Sequence, residues 1–117
     1  EWRGTTDSAG RRVVILDGVG EMLNSDADYP LQDLLKVCRS EGVFVIADGE
    51  SADVGGSYPM LQMIKASRCG IALQPDQSDG DLVFRTSFPR MSRADFPVGR
   101  GMLVRSGRAT RVQVARP

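Results

Sequence analysis

Arg11-Arg12-Val13-Val14-Ile15-Leu16-Asp17 decides how the rest of the chain reads. Four apolar residues stand behind two arginines and end on an acid followed by Gly18. A continuous apolar run of this length, rather than an alternating one, predicts a strand buried on both faces of a parallel sheet. The carboxyl ends of such strands border the ligand crevice in open α/β sheets. Asp17 is therefore the first candidate site residue.

Downstream, Gly18-Val19-Gly20-Glu21-Met22-Leu23 reads as a turn entering a short helix, and Asn24 to Asp28 as a polar loop. Tyr29-Pro30 opens a longer helix, with Asp28 as its N-cap and Pro30 in its first turn. Leu31, Leu34, Leu35 and Cys38 recur at helical spacing, and Gly42 stands where a helix ends. Val43 to Ala47 is a second apolar run, again closed by an acid, Asp48. Strand, helix and strand in this order form a crossover, so the two strands are expected to run parallel in one sheet. Asp17 and Asp48 then share one strand edge.

Gly49 to Gly56 reads as a glycine-bearing loop, and Ser57 to Ser67 as a helix whose Met60, Leu61, Met63 and Ile64 are core. Gly70 to Gln74 is a third strand, stopped by Pro75. The acids Asp76, Asp79 and Asp81 alternate, yet the loop lacks the length and terminal glutamate of an EF-hand. It is expected to be a solvated turn capping a short helix over Leu82-Val83-Phe84. Arg85 to Arg100 has no period. Gly101 to Arg105, the turn Ser106-Gly107, and Arg108 to Ala115 predict a β-hairpin, with Arg111 and Gln113 on a polar face and Val112 and Val114 on an apolar one. Glu1 to Gly10, with Trp2, is polar and turn-rich.

The chain has 117 residues, enough for one modest core, and is read as a single partial domain. Lys plus Arg and Asp plus Glu are equal in number, which gives no whole-chain field for nucleic acid or membrane. The arginines concentrate in the last third, at Arg85, Arg90, Arg93, Arg100, Arg105, Arg108, Arg111 and Arg116, without the interleaved aromatics of a stacking groove. They read as packing and surface rather than a DNA groove. Histidine is absent, which removes His-based triads and His-rich metal sites. Cys38 and Cys69 read as buried, reduced thiols of a cytoplasmic protein. No run is long enough to span a membrane and none resembles a signal peptide, so no direct membrane contact is expected of this segment.

Four apolar residues and an acid are also the shape of a Walker B strand, whose carboxylate holds the magnesium of a bound nucleotide through water. The ordered set around it resembles the second half of a P-loop motor domain of the FtsK/SpoIIIE type. It comprises the strand to Asp17, the helix, the Val43–Ala47 strand, the Ser51-Ala52-Asp53-Val54 loop, Met63-Ile64-Lys65-Ala66-Ser67, Ile71-Ala72-Leu73-Gln74 and Gly99-Arg100-Gly101-Met102-Leu103. The likeness is greatest to actinobacterial-looking members, including the multi-domain motors of type VII secretion, and runs from Arg11 to Ala115. It implies a RecA-like (P-loop NTPase-like) three-layer α/β sandwich with a mainly parallel sheet and a C-terminal β-hairpin. It also implies that Asp17 is the catalytic and magnesium-holding carboxylate, and that Gly18 and Asp48 lie against the nucleotide.

Other parts of the motor pattern are missing. No Gly-x-x-x-x-Gly-Lys-Ser/Thr loop occurs, so ATP and magnesium are expected only with an upstream half. Gly18 stands where active members carry a water-polarising acid, and Glu21 is the nearest substitute. Asp48-Gly49 replaces the frequent Thr-Gln of the sensor position, where a carboxylate repels a γ-phosphate. The arginines expected before and after the third strand give way to Gly70 and to the acids Asp76 to Asp81. Together these imply a degenerate ATPase module with a structural or regulatory role, packed against neighbouring ATPase modules in a possible hexameric ring. Its cargo would be a secreted protein or DNA. The alternatives are the C-terminal part of an active ATP-driven DNA translocase, and an α/β interaction domain without nucleotide binding. A receiver domain fits poorly, since no lysine follows Lys65.

Overall fold

Short parallel strands become neighbours only when the chain between them returns along the sheet. Here Val13–Leu16 (β1) leads through a one-turn helix, Val19–Met22 (α1), to the long helix Asp28–Glu41 (α2), which returns the chain to Phe44–Ala47 (β2). A one-turn helix Ser51–Val54 (α3) and the helix Pro59–Lys65 (α4) follow. The computed structural model describes residues 10–115 and divides at Ile64/Lys65 into two units, each with its own core. The expectations for the stretch before Gly10, Trp2 included, and for Arg116 lie outside the described residues.

In the first unit β1 and β2 pair in parallel, Val13 opposite Phe44 and Leu16 opposite Ala47. Val14, Leu16, Val45 and Ala47 therefore share a face, and that face meets Leu31, Leu34, Leu35 and Cys38 of α2 and Met60, Leu61, Met63 and Ile64 of α4. Gly42 ends α2 in the left-handed region, φ +67°, where a side chain is strained.

Three expectations for this unit change. β1 is covered on one face only: Val14 and Leu16 are buried, whereas Ile15 is 70% exposed and its neighbour Phe44 67%. The N-cap of α2 is Ala27, and Asp28 lies inside the first turn. Its carboxylate accepts from the Asn24 N–H at 3.0 Å and from Gln32 Nε2 at 2.9 Å, clasping the incoming loop to the helix. The stretch Gly49 to Gly56 is not all loop, because α3 makes a turn inside it.

The second unit is antiparallel. Gly70–Leu73 (β3) pairs with Arg100–Arg105 (β4), and β4 with Arg108–Gln113 (β5), in the order β3-β4-β5. Among the described residues parallel pairing is thus confined to β1 and β2, which gives a mixed α/β protein with a small parallel sheet and a three-stranded antiparallel one. Ser106 (φ +52°) and Gly107 (φ +73°) join β4 to β5 in the primed turn that two-residue hairpins favour.

The hairpin's faces divide differently from the expectation, although Arg111 and Gln113 stay exposed and Val112 is half-buried. Met102 pairs with Arg111 and Val104 with Ala109, so these four project from the same side. That side is the core side: Met102 and Val104 are buried with Phe84, Phe88 and Phe96. Arg111 is accommodated there because its guanidinium carbon stands 5.2 Å from the Phe96 ring centre, a cation–π contact. Val112 lies on the opposite face.

The aperiodic stretch after β3 supplies most of this core. Asp76 caps a helical turn, Gln77–Asp79, by accepting from Ser78 N–H at 2.9 Å and Ser78 Oγ at 2.6 Å. Asp79 is buried rather than solvated, and its carboxylate accepts from the Asp76 N–H at 3.0 Å. The wide turn Gly80–Phe84 then brings Phe84 and Phe88 to 6.2 Å between ring centres. Gly80 has no room for a side chain, since a Cβ there would meet the Thr86 carbonyl and lie 2.7 Å from the Phe88 ring.

Phe96 is almost wholly buried. Phe96→Ala removes both its packing and the ring under Arg111, and is expected to destabilise this unit by about 3–5 kcal/mol. Arg111→Ala loses only the cation–π contact, about 0.5–1 kcal/mol. Urea unfolding followed by far-UV circular dichroism of the two variants checks the order.

Candidate functional site

The two strand-end acids lie at the same edge because β1 and β2 run parallel with Leu16 opposite Ala47. Asp48 fastens the exit of β1 in three places. Its N–H donates to the Leu16 carbonyl at 3.0 Å, its carbonyl accepts from the Val19 N–H at 2.9 Å, and its Oδ1 accepts from the Gly18 N–H at 2.7 Å. Gly18 has φ +67° and ψ +53°, a left-handed conformation that lets the chain leave β1 and enter α1 at once. Asp17 is exposed beside it. Asp17, Gly18 and Asp48 are therefore adjacent.

Glu21 is exposed one turn into α1, its N–H donating to the Gly18 carbonyl at 3.0 Å, and its carboxylate bonds to neither acid. A second acid approaches α1 from the stretch expected to be a loop. Asp53 of α3 lies against Gly20, where an added Cβ would come within 2.8 Å of its Cγ. Glycine at position 20 is what admits α3; no periodic pattern signals such an approach.

Among the described residues, no group of three or more carboxylates or thiols is arranged to hold a metal ion. Asp17 offers one carboxylate, and the Gly18 N–H beside it is already given to Asp48. A phosphate cradle needs several converging backbone N–H groups and a lysine. These residues do not fit magnesium and ATP by themselves, and no chemical step is derived through either.

A cleft of about 340 Å³ opens elsewhere in the first unit, lined by Asn24, Ser25, Asp28, Tyr29, Gln32, Tyr58 and Pro59. It contains none of the strand-end residues. The hydrogen bond from Gln32, then that from Asn24, holds the Asp28 carboxyl below its ordinary pKa.

In the second unit, Lys65, the lysine of the Ile64-Lys65-Ala66 stretch, donates to the Leu82 carbonyl at 3.3 Å. Arg68, which no sequence pattern singles out, donates from Nε to the Phe84 carbonyl at 3.4 Å and from Nη2 to the Arg85 carbonyl at 2.7 Å. Its guanidinium closes the wide turn from within the same unit. No family model, curated protein or solved structure matches the chain.

Two outcomes follow from this geometry. Asp48→Ala leaves the Gly18 N–H without its acceptor and is expected to cost about 0.5–1.5 kcal/mol in chemical denaturation, with Asp48→Asn recovering most of it. Gly18→Ala places a side chain in the left-handed region and costs about 1–2 kcal/mol.

Burial, and next the nearby charge of Arg85, lower the pKa of Lys65. The folded protein then binds fewer protons at this site than the unfolded chain. Stability attributable to Lys65 rises with pH through the lowered value and levels off near the ordinary lysine value of about 10.4. Denaturation midpoints across that alkaline range show the rise in the native chain and a weaker slope in Lys65→Met.

Proposed function

We propose that this chain is the C-terminal portion of a degenerate FtsK/SpoIIIE-type ATPase module, acting as a structural or regulatory unit in a type VII secretion-like translocation machine. The observation that carries the reading is the pair of parallel apolar strands ending in Asp17 and Asp48 at one edge, joined through α2. In a RecA-like sandwich α2 is one outer layer. The other would lie over Val13, Ile15, Phe44 and Ile46, which are exposed on the far face of the pair, and would come from an upstream segment with the phosphate loop. Neighbouring ATPase modules, in a possible hexameric ring, are its partners, and the cargo is a secreted protein or DNA.

The strand edge also supports the degenerate form of the reading. An acid placed at position 18 to orient water would have to adopt the left-handed backbone that Gly18 holds. Asp48 spends one carboxylate oxygen on that backbone. Hydrolysis in P-loop motors rests on a phosphate loop, a metal-holding Asp, a water-orienting group and an arginine that act together, so one part alone recovers little.

Calorimetric titration of magnesium and ATP into the full-length protein, beside a steady-state hydrolysis assay, tests this. No turnover is expected, and neither Asp17→Ala nor Gly18→Glu should change that. Micromolar binding with turnover lost in Asp17→Ala would instead identify a working translocase. Absence of any nucleotide binding, with an upstream segment that carries no phosphate loop, would favour a plain α/β interaction domain.

A further inference from the structure

The antiparallel sheet has a second face that its own core does not use. Ile71 pairs with Leu103 and Leu103 with Thr110, while Leu73 pairs with Gly101 and Gly101 with Val112. Directly paired residues project from one side of a sheet, so Ile71, Leu73, Leu103 and Val112 stand together opposite the phenylalanine core. Ile71 is 53% exposed and Leu73 56%. Leu73 leans across Gly101, its Cδ2 within 3.2 Å of where a Cβ would sit, which makes the apolar surface continuous over three strands.

At the turn end of the same face, Arg105 is paired directly with Arg108, and both are exposed. Like charges opposite one another weaken a hairpin. Neither guanidinium meets a carboxylate among the described residues. The excess is regional as well: from Lys65 onward the sequence has ten Lys and Arg against four Asp and Glu, and before it five against eleven.

We propose that this face is the docking surface for an acidic amphipathic helix of a protein partner. The partner's apolar stripe would lie over Ile71, Leu73, Leu103 and Val112, with its Asp or Glu residues at the end meeting Arg105 and Arg108. Carboxylates there convert a repulsive pair into two charge-assisted contacts. Two arginines fall short of the basic cluster that holds a protein to anionic lipid, and the face carries no Trp, Tyr or Phe to anchor in a bilayer interface or stack on bases. The proposal does not depend on whether the chain descends from a nucleotide-binding module.

Fluorescence anisotropy of a labelled synthetic helix with a leucine stripe and glutamates at one end, titrated with the full chain, provides the test. Saturable binding is expected, weakened about tenfold or more by Arg105→Glu with Arg108→Glu, and likewise by Leu73→Ser. All three positions are exposed, so circular dichroism should be unchanged. The same helix with lysines for glutamates should not bind. Equal binding of the lysine helix, or no effect of the arginine reversals, would overturn the proposal. So would capture by phosphatidylcholine–phosphatidylglycerol vesicles in place of the helix, which identifies a lipid surface. Self-association in sedimentation that the same substitutions abolish, without helix binding, would show that a second copy covers the face.

Discussion

The exit of β1 turns on the shortest of the three bonds that Asp48 makes there, from the Gly18 N–H to the Asp48 carboxylate at 2.7 Å. It fixes where the first strand stops relative to the second and turns the chain into α1. From there α1 takes Val19 into the core, and α3 closes over Gly20. The conformation that allows the bond, φ +67°, is one that favours glycine. The demand that makes the turn therefore also disfavours a side chain at position 18.

The two units reach stability by different means. The first is layered, with helices over one face of a parallel pair and Leu, Val and Met side chains as filling. The second has little regular helix and closes its core with three phenylalanines delivered from irregular backbone, held by side-chain to main-chain bonds such as those of Arg68 and Asp76. Packing of this kind follows from where polar groups find partners, because buried backbone carbonyls need donors wherever regular structure does not supply them.

That contrast explains what could be read in advance. The strands at Val13 and Phe44, the helix from Leu31 to Cys38 and its glycine stop, and the Ser106-Gly107 hairpin are local signals of period and turn chemistry, and each lies where its pattern put it. Adjacency of Asp17 and Asp48 followed from strand order alone. The hairpin's inward face did not: Arg111 is exposed, as its charge suggests, but no local pattern shows that it shares a side with Met102 and reaches the ring of Phe96. Burial of Asp79, the part played by Arg68 and the approach of Asp53 to Gly20 are contacts between segments, and no local pattern encodes them. Ile15 reads as interior because a run of apolar residues is silent about which of its two faces is covered.

The two cysteines differ in a way that is useful at the bench. Cys38 is sealed in the first core as expected, whereas Cys69, expected to be buried too, is exposed because it lies in the link immediately before β3. A maleimide dye added to the folded protein should therefore enter at one position without mutagenesis, next to the strand that carries Ile71 and Leu73. Slow entry of a second dye then becomes a clock for opening of the first core, since the Cys38 thiol reacts only when α2 lifts from the sheet.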